Sequence, residues 1–488
     1  MSWIMDVKVQ LTRLLNFFEP LKCLANSHCS AMFTENLWEK NVPQKIQEEL
    51  STFESQEDFI KMFSEFLKTG CSTEYFHNRP NLMTFLKNVE NFSLGHDKNY
   101  ISSVTTLEKL LLKSGNHQGK DFTLEQFMTL KKLHEVRITS KIAAMASDMM
   151  DSSHIVDIGV GKGYLSYIMV LHHSCKVLGL DASQVKTCGA IKRSEKVAQI
   201  WRDGVFTEGN VDFQCVNKKT KKEYLNEHYK VAITYVTPDT NLREMVEEKF
   251  SEQVRGITLT GLHTCGNLAP TCLKLFINDP SVNSLVNIGC CYHLLSEEFC
   301  ERNESQDFGF PMSKFLKSQN YSLGRNARML ASHSLDRMST TTNLDEDYST
   351  VSMFYRSIVE TFLKTRKEPL NCEIKLKKLA KKCPSFHEYF VKVVKKFNLD
   401  IEVTEEYSSE LYRKFEDRKP IFMAYNLLRV SLSPVVEAIV LLDRFLYLLE
   451  NGIDNVYLVK LFNLEISPRG FGIVAWKDVN KKVPMSTG

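Results

Sequence analysis

Residues 154–169 read HIVDIGVGKGYLSYIM, a short apolar run, three glycines at alternate positions, and a helix-like pattern. The run 154–158 has strand character, and 164–171 carries helical periodicity, so the glycines fall on a strand-to-helix turn. Such a turn lets backbone approach a ligand closely, and the helix N-terminus favours anionic groups. The dinucleotide fingerprint asks for a further glycine three residues after its second one, and that position here is Tyr164. The spacing is instead G-x-G-x-G, at Gly159, Gly161 and Gly163, with Asp157 two residues upstream. An acid at that point suits a ligand with a cationic amino group. The bland alternative is a tight turn that binds nothing.

Working outward, the next apolar run, CKVLGLDAS, ends at Asp181, about the 20 residues beyond the turn where a ribose-binding acid belongs. A carboxylate there can accept both ribose hydroxyls, or it can cap the following helix in competition with Ser183. Taken together, Asp157 and Asp181 point to a nucleoside with a cationic amino acid part, as in S-adenosylmethionine.

The rest of the chain places this turn in an α/β fold. Residues 1–118 read as helices, with apolar positions three and four apart in VQLTRLLNFFEPL and SQEDFIKMFSEFLKTG. The following helix carries a possible capping box at Thr123 and Gln126. Strands then alternate with helices: KVAITYVTPDT, a helix around 244–253, GITLTGLHT and VNSLVNIGCCYHLL, with a polar, loop-like stretch between Trp201 and Tyr229. That alternation implies a parallel sheet with helices on both faces. NVYLVKLFNLE and GFGIVAWK, separated by SPRG, read as a closing hairpin and predict an antiparallel edge, the methyltransferase version of this sheet. The expected division is an N-terminal helical region, 1–118; a core, 119–347; a helical insertion, 348–451; and the closing strands, 452–488.

Composition excludes little but agrees. A chain of 488 residues with 43% hydrophobic and 25% charged residues is an ordinary globular protein with room for two or more compact units. Thirteen cysteines at scattered spacing, with no stretch resembling a signal peptide, lead us to expect reduced thiols and a cytoplasmic or nuclear setting. The most apolar late stretch, VVEAIVLLDRFLYLL, is broken by Glu437, Asp443 and Arg444, so no membrane span is expected. Residues 364–396 hold eleven Lys/Arg against three Asp/Glu, with Phe386, Tyr389 and Phe390 interleaved. Lys377, Lys378, Lys381 and Lys382 are the centre of this run, either a phosphate-binding surface or a solvated helix face.

Ligands of open parallel sheets lie beyond the carboxyl ends of the strands. GLHTCGNLAP and GCCYHLL follow two such strands and bring His263, Cys265, Cys290, Cys291 and His293 toward one mouth. The histidines are candidate general bases or acceptor-holding groups, and the cysteines are candidate acceptor contacts or small core residues. H-x-C and C-C-x-H lack the paired knuckle of a zinc site, so no metal is expected. No N/D-P-P-Y/F/W motif is present, which speaks against methylation of an adenine amino group.

The combination KKLHEV, VDIGVGKGYLS, LDAS…GAIKR, GLHTCGNLAP, NIGCCYHLL and LLDRFLYLLENG…SPRGFGIVAWK, with MFTENLWEK near the start, resembles the methyltransferase-like protein 25 family. The resemblance covers nearly the whole chain. It implies a Rossmann-like class I methyltransferase with S-adenosylmethionine as cofactor and leaves the acceptor open. The H-x-C-G and C-C-x-H elements also resemble, locally, the transfer-RNA 2′-O-methyltransferase family. By these resemblances Asp157, Gly159, Gly161 and Gly163 would cradle the methionine and ribose portions, Asp181 the ribose, and the turn at Asp239 would lie near adenine. Lys132 would meet the cofactor carboxylate or a phosphate, with a charged helix face as the alternative. RNA is the expected acceptor. A protein acceptor, or a cofactor-binding scaffold without transfer, stays open.

Overall fold

The computed structural model describes residues 2–53, 55–70, 78–96, 100–114, 128–201, 218–300, 307–332, 348–365, 383–467 and 469–478. They form two compact units, each assembled from separated parts of the chain. One comprises Met1–Arg13, Leu94–Ser322 and Glu437–Gly488, and the other Leu14–Ser93 and Leu323–Val436. The division therefore differs from the consecutive one expected: most of the N-terminal helices and most of the insertion are one unit. The reason is a shared apolar interior. Phe33 packs against Phe354 and Phe422, at 6.1 Å between ring centroids in each case. Polar links join the same segments, with the Asn26 amide donating to the Leu323 carbonyl at 2.7 Å and the Ser27 and Tyr425 hydroxyls 2.6 Å apart. Amphipathic helices from distant parts of a chain bury their stripes wherever a complementary stripe exists.

The other unit is built on eight strands: β1 Ile101–Ser103, β2 His154–Ile158, β3 Val177–Asp181, β4 Tyr229–Ile233, β5 Ile257–Cys265, β6 Val282–Cys290, β7 Asn455–Lys460 and β8 Phe471–Trp476. Their order across the sheet is β1-β7-β8-β6-β5-β2-β3-β4. Every residue of β2 and β3 is buried, as expected of strands covered on both faces. All neighbours run parallel except β8, which is antiparallel to both β6 and β7. The antiparallel strand is thus inside the sheet, slotted between β6 and β7, and the edge is β1. The closing strands β7 and β8 do pair antiparallel as expected, but their expected place at the edge is corrected. With only three residues, half-buried or exposed, β1 shows no alternation that a sequence pattern can register.

The chain runs from β2 outward to β3 and β4, then crosses back to β5 on the other side of β2. The order reverses between β2 and β5, and a crevice opens at the carboxyl ends of strands where that happens. Helix α1, Leu130–Met149, precedes β2 and is capped by Thr129, whose side chain accepts the Lys132 N–H. Thr123 and Gln126, the expected capping box, lie outside the described residues. Helix α2, Tyr164–His173, follows β2. Part of the stretch expected as loop before β4 is helical, over Lys218–His228. Among the described residues no helix is long and apolar enough to cross a membrane.

Candidate functional site

The turn after β2 adopts a backbone that requires glycine. Gly159, Gly161 and Gly163 have φ of +76°, +56° and +78°, the left-handed region that side chains disfavour. The amides of Gly159 and Val160 both donate to the Leu180 carbonyl, at 2.8 and 3.1 Å, which ties the turn to β3. Asp181 completes the tie. Its carboxylate accepts the Gly161 amide at 3.0 Å and the Ser183 amide at 2.9 Å. Both readings of this acid therefore have support in the geometry, since each oxygen keeps a second lone pair for a ligand hydroxyl. A Cβ on Gly161 would meet only the Gly159 carbonyl oxygen, at 3.6 Å, so this face of the turn is open.

Asp157 is buried and accepts a 2.6 Å hydrogen bond from the Ser166 hydroxyl on α2. Burial pushes its carboxyl up to about 7, against the opposing effects of Ser166 and Lys132. Lys132, half-buried on α1, is itself lowered by burial, with Glu135 and Asp157 acting in the opposite direction. Within KKLHE, Lys132 thus lies near Asp157, and Glu135 near His263, while Lys131 is more exposed.

Glu135 lies one helical turn beyond Lys132 and is buried. One carboxylate oxygen sits 2.9 Å from His263 Nε2, and the other accepts the Ser467 hydroxyl at 2.7 Å. Burial alone would raise this carboxyl, but His263, Ser467 and Lys132 outweigh it and hold Glu135 below the usual carboxylate range. With Glu135 ionised, Nε2 carries the proton it donates, and Nδ1 is left as the basic atom. His263 is aimed by its backbone. The β5–β6 register slips between Leu262 and Thr264, and His263 takes a left-handed φ of +66° in that bulge. Bulges beside a site commonly serve to re-aim one side chain. Because Asp157 pairs with Thr260, His263 stands beyond the carboxyl end of β2, among the last residues of β5 before its end at Cys265, at the strand-order reversal. His134, the neighbouring histidine of α1, instead accepts the Asn463 amide at 3.0 Å and clips the loop before β8.

The cysteines also converge. Cys265 and Cys290 end β5 and β6 in direct register, with sulfurs 3.2 Å apart. Cys291 follows in a left-handed conformation, φ +52°, with its sulfur 3.6 Å from that of Cys290. Hydrogen bonding from Cys290, then Cys291, with the electrostatic influence of His263 and Lys186, lowers the Cys265 thiol to about 6 against the effect of burial. His293 is half-buried on the turn Tyr292–Leu294 directly after this cluster.

Asp239 is exposed on the turn after β4, where the Thr237 amide donates to the Thr240 hydroxyl at 2.8 Å. Sequence reading missed the exposed apolar side chains that follow three strand ends: Val185 after β3, Ile233 and Tyr235 at β4, and Leu294 after β6. A cofactor base or acceptor ring needs such surfaces, but single exposed apolar residues are too common to be a signal. Lys377, Lys378, Lys381 and Lys382 lie outside the described residues. A polar cleft lined by Asp148, Asp151, Lys176, Glu252 and Arg255 opens at the opposite, amino-terminal ends of the strands. It contains none of the residues discussed above.

Residues 131–298, which carry the whole constellation except Ser467, match the family described as Methyltransferase domain. The chain is 27% identical to "Probable methyltransferase-like protein 25" of Mus musculus, across 96% of this chain and 96% of the relative. It is 26% identical to the Homo sapiens protein of the same name, across 96% and 97%. Among solved structures, coclaurine N-methyltransferase bound to N-methylheliamine and SAH aligns at TM-score 0.23 and 12% identity, over 81% of this chain and 93% of that one. A likeness that slight carries no argument. The mostly parallel sheet with its inserted antiparallel strand is a Rossmann-like class I methyltransferase sheet, and the chain carrying it resembles methyltransferase-like protein 25 along nearly its whole length.

Proposed function

We propose that the protein is an S-adenosylmethionine-dependent methyltransferase acting on RNA. The observation that carries the cofactor assignment is the buried Asp157 carboxyl beside a glycine turn whose Gly161 face is open. The residues fit the group. Asp157 would take its ammonium, the glycine turn its closely approaching amino acid and ribose portions, and Asp181 its ribose hydroxyls. Val185 and Tyr235 offer apolar surface for the base. Bound there, the cofactor supplies an electrophilic methyl group for in-line displacement.

The protein aligns the acceptor and removes its proton. His263 Nδ1 is the base best placed for this, with Glu135 fixing the tautomer. His293 is the second candidate on the acceptor side. RNA is supported by the basic run at 364–396 and by the local resemblance of the H-x-C-G and C-C-x-H elements.

Transfer of labelled methyl to fractionated cell RNA and protein tests the reading. Label confined to protein would move the acceptor to the protein class. Cofactor binding with no transfer to either would leave a scaffold. The variant His263→Asn suits the mechanism because asparagine tolerates a left-handed backbone. It is expected to lower turnover by about 10²–10⁴-fold, the usual contribution of a positioned base, and to leave cofactor affinity unchanged by calorimetry. Unchanged turnover would remove His263 from the mechanism.

Reversing the charge at Lys377, Lys378, Lys381 and Lys382 is expected to weaken RNA affinity and flatten its salt dependence, with cofactor binding preserved. Each lost phosphate contact reduces the logarithmic salt slope by roughly 0.7–0.9. Filter binding at several salt concentrations measures it, and an unchanged slope would return the segment to a solvated face.

A further inference from the structure

We infer that Cys265, Cys290 and Cys291 form a site for one thiophilic d¹⁰ cation, zinc(II) foremost. All three sulfurs lie within 4.8 Å of one another, and they come from two strand ends and one left-handed residue that the sheet holds in place. A zinc–sulfur bond of about 2.3 Å sets neighbouring ligand sulfurs about 3.8 Å apart in tetrahedral geometry. The separations of 3.2 and 3.6 Å fall a few tenths of an ångström inside that value, within reach of small side-chain rotations.

The cluster differs from the buried cysteines of the same unit. The thiols of Cys290, through its hydrogen bond with Cys265, and of Cys291, through burial, are raised as those of Cys175 and Cys272 are by burial, so what sets the cluster apart is the convergence of three sulfurs. Cys265 is exposed, so the cluster opens to solvent at the mouth. Charge also favours an ion. Three thiolates around a divalent cation carry a net charge of minus one. Lys186 acts electrostatically on Cys265, Arg469 on Cys291, and Lys132 and Arg444 on Cys290. Those four cations offset the excess negative charge of the complex.

An all-sulfur donor set selects zinc, copper(I) or cadmium over magnesium or calcium. Three protein ligands leave a fourth tetrahedral position for water or an incoming group, as sites that take part in chemistry do. Each thiol that binds gives up its proton, so binding releases up to three protons. Sequence spacing argued against this site because the separations H-x-C and C-C-x-H contain no knuckle. The knuckle is replaced by the cross-strand pair, Cys265 opposite Cys290, which spacing along one segment does not reveal.

The test uses the full chain, reduced, stripped with chelator and titrated with cobalt(II) and then zinc. Thiolate-to-cobalt charge-transfer absorption saturating at one ion per chain, and abolished by zinc, is expected. Cys265→Ser and Cys291→Ser should each weaken cobalt binding by more than the roughly 10–100-fold that outer-shell changes cost. Cys188→Ser, an exposed cysteine elsewhere, should leave it unchanged. In the wild-type chain, zinc should protect Cys265, Cys290 and Cys291 from alkylation, as mapped by peptide mass. This readout stands even if a variant fails to fold, and none of these measurements requires methyl transfer. Absence of the charge-transfer band, its full retention in both serine variants, or alkylation unaffected by zinc would overturn the site. A Cys265–Cys290 disulfide in the isolated protein, with no ion bound after reduction, would do so as well.

Discussion

Gly163→Ala is expected to destabilise the sheet-bearing unit by about 2–5 kcal/mol, whereas Gly161→Ala is expected to leave it folded and unable to bind cofactor well. Both residues have a left-handed φ, and an alanine there costs about 1–2 kcal/mol. They differ in what the new methyl meets. At Gly163 it would lie 2.9 Å from the Ala190 Cβ and 3.1 Å from the Tyr229 hydroxyl, an overpacked contact worth a further 1–3 kcal/mol or so. At Gly161 it would project into open space, where we place the cofactor, and the same range would apply to the ligand, about 5–150-fold in affinity. Urea unfolding and calorimetric titration with S-adenosylmethionine and its demethylated product separate the two effects. Equal destabilisation of both variants would remove the distinction. Full affinity in a folded Gly161→Ala protein, or tight binding of NAD in its place, would remove the cofactor assignment.

That contrast shows where the sequence is readable and where it is not. Glycines at alternate positions after an apolar run carry their turn with them, because no other residue accepts those backbone angles cheaply. Asp181 is legible for the same local reason, ending its strand at a fixed distance from the turn. The strand–helix alternation likewise announces a parallel sheet. What escapes is whatever depends on register between distant segments.

The Glu135–His263 pair spans 128 residues and exists only because α1 lies against the end of β5. In the sequence, KKLHE is indistinguishable from a charged helix face. The bulge that aims His263 leaves no mark either, since histidine shows no turn signature. β8 slots between β6 and β7 by pairing across the sheet, and two short apolar runs joined by SPRG are equally compatible with an edge hairpin. The division into two units is hidden for a related reason: amphipathic periodicity tells that a helix has a partner, but not which one.

Asp157 yields the second large effect, with a definite sign. Its carboxyl is raised from 3.8 to about 7 by burial, opposed by the Ser166 hydrogen bond and by Lys132, with Asp181 adding repulsion. Tyr229 and Cys272, also packed near it, are raised far enough to stay neutral across the range that matters. Between pH 4 and 7 the folded, ligand-free protein therefore holds a proton that the unfolded chain has released. Stability from this group is greatest below pH 4 and falls by about 1.4 kcal/mol per pH unit as pH rises toward 7.

Cofactor affinity runs the opposite way, because the ammonium needs the carboxylate. From pH 5.5 to 7.5 it should rise by about tenfold or more, while an α-amino group of pKa near 7.7–8.0 stays mostly cationic. Binding should also release a proton near neutrality, measurable by calorimetry in buffers of different ionisation heat. Asp157→Asn keeps the shape, removes the charge and should flatten both pH dependences. At pH 7.5 it should weaken the cofactor by about 1.5–3 kcal/mol, roughly 10–150-fold, the worth of a charged hydrogen bond. An affinity independent of pH in the wild type, or the same slope persisting in Asp157→Asn, would place the cofactor's amino group elsewhere. Stability and affinity moving in opposite directions with pH is the signature to seek, since a merely structural buried acid would give the first trend without the second.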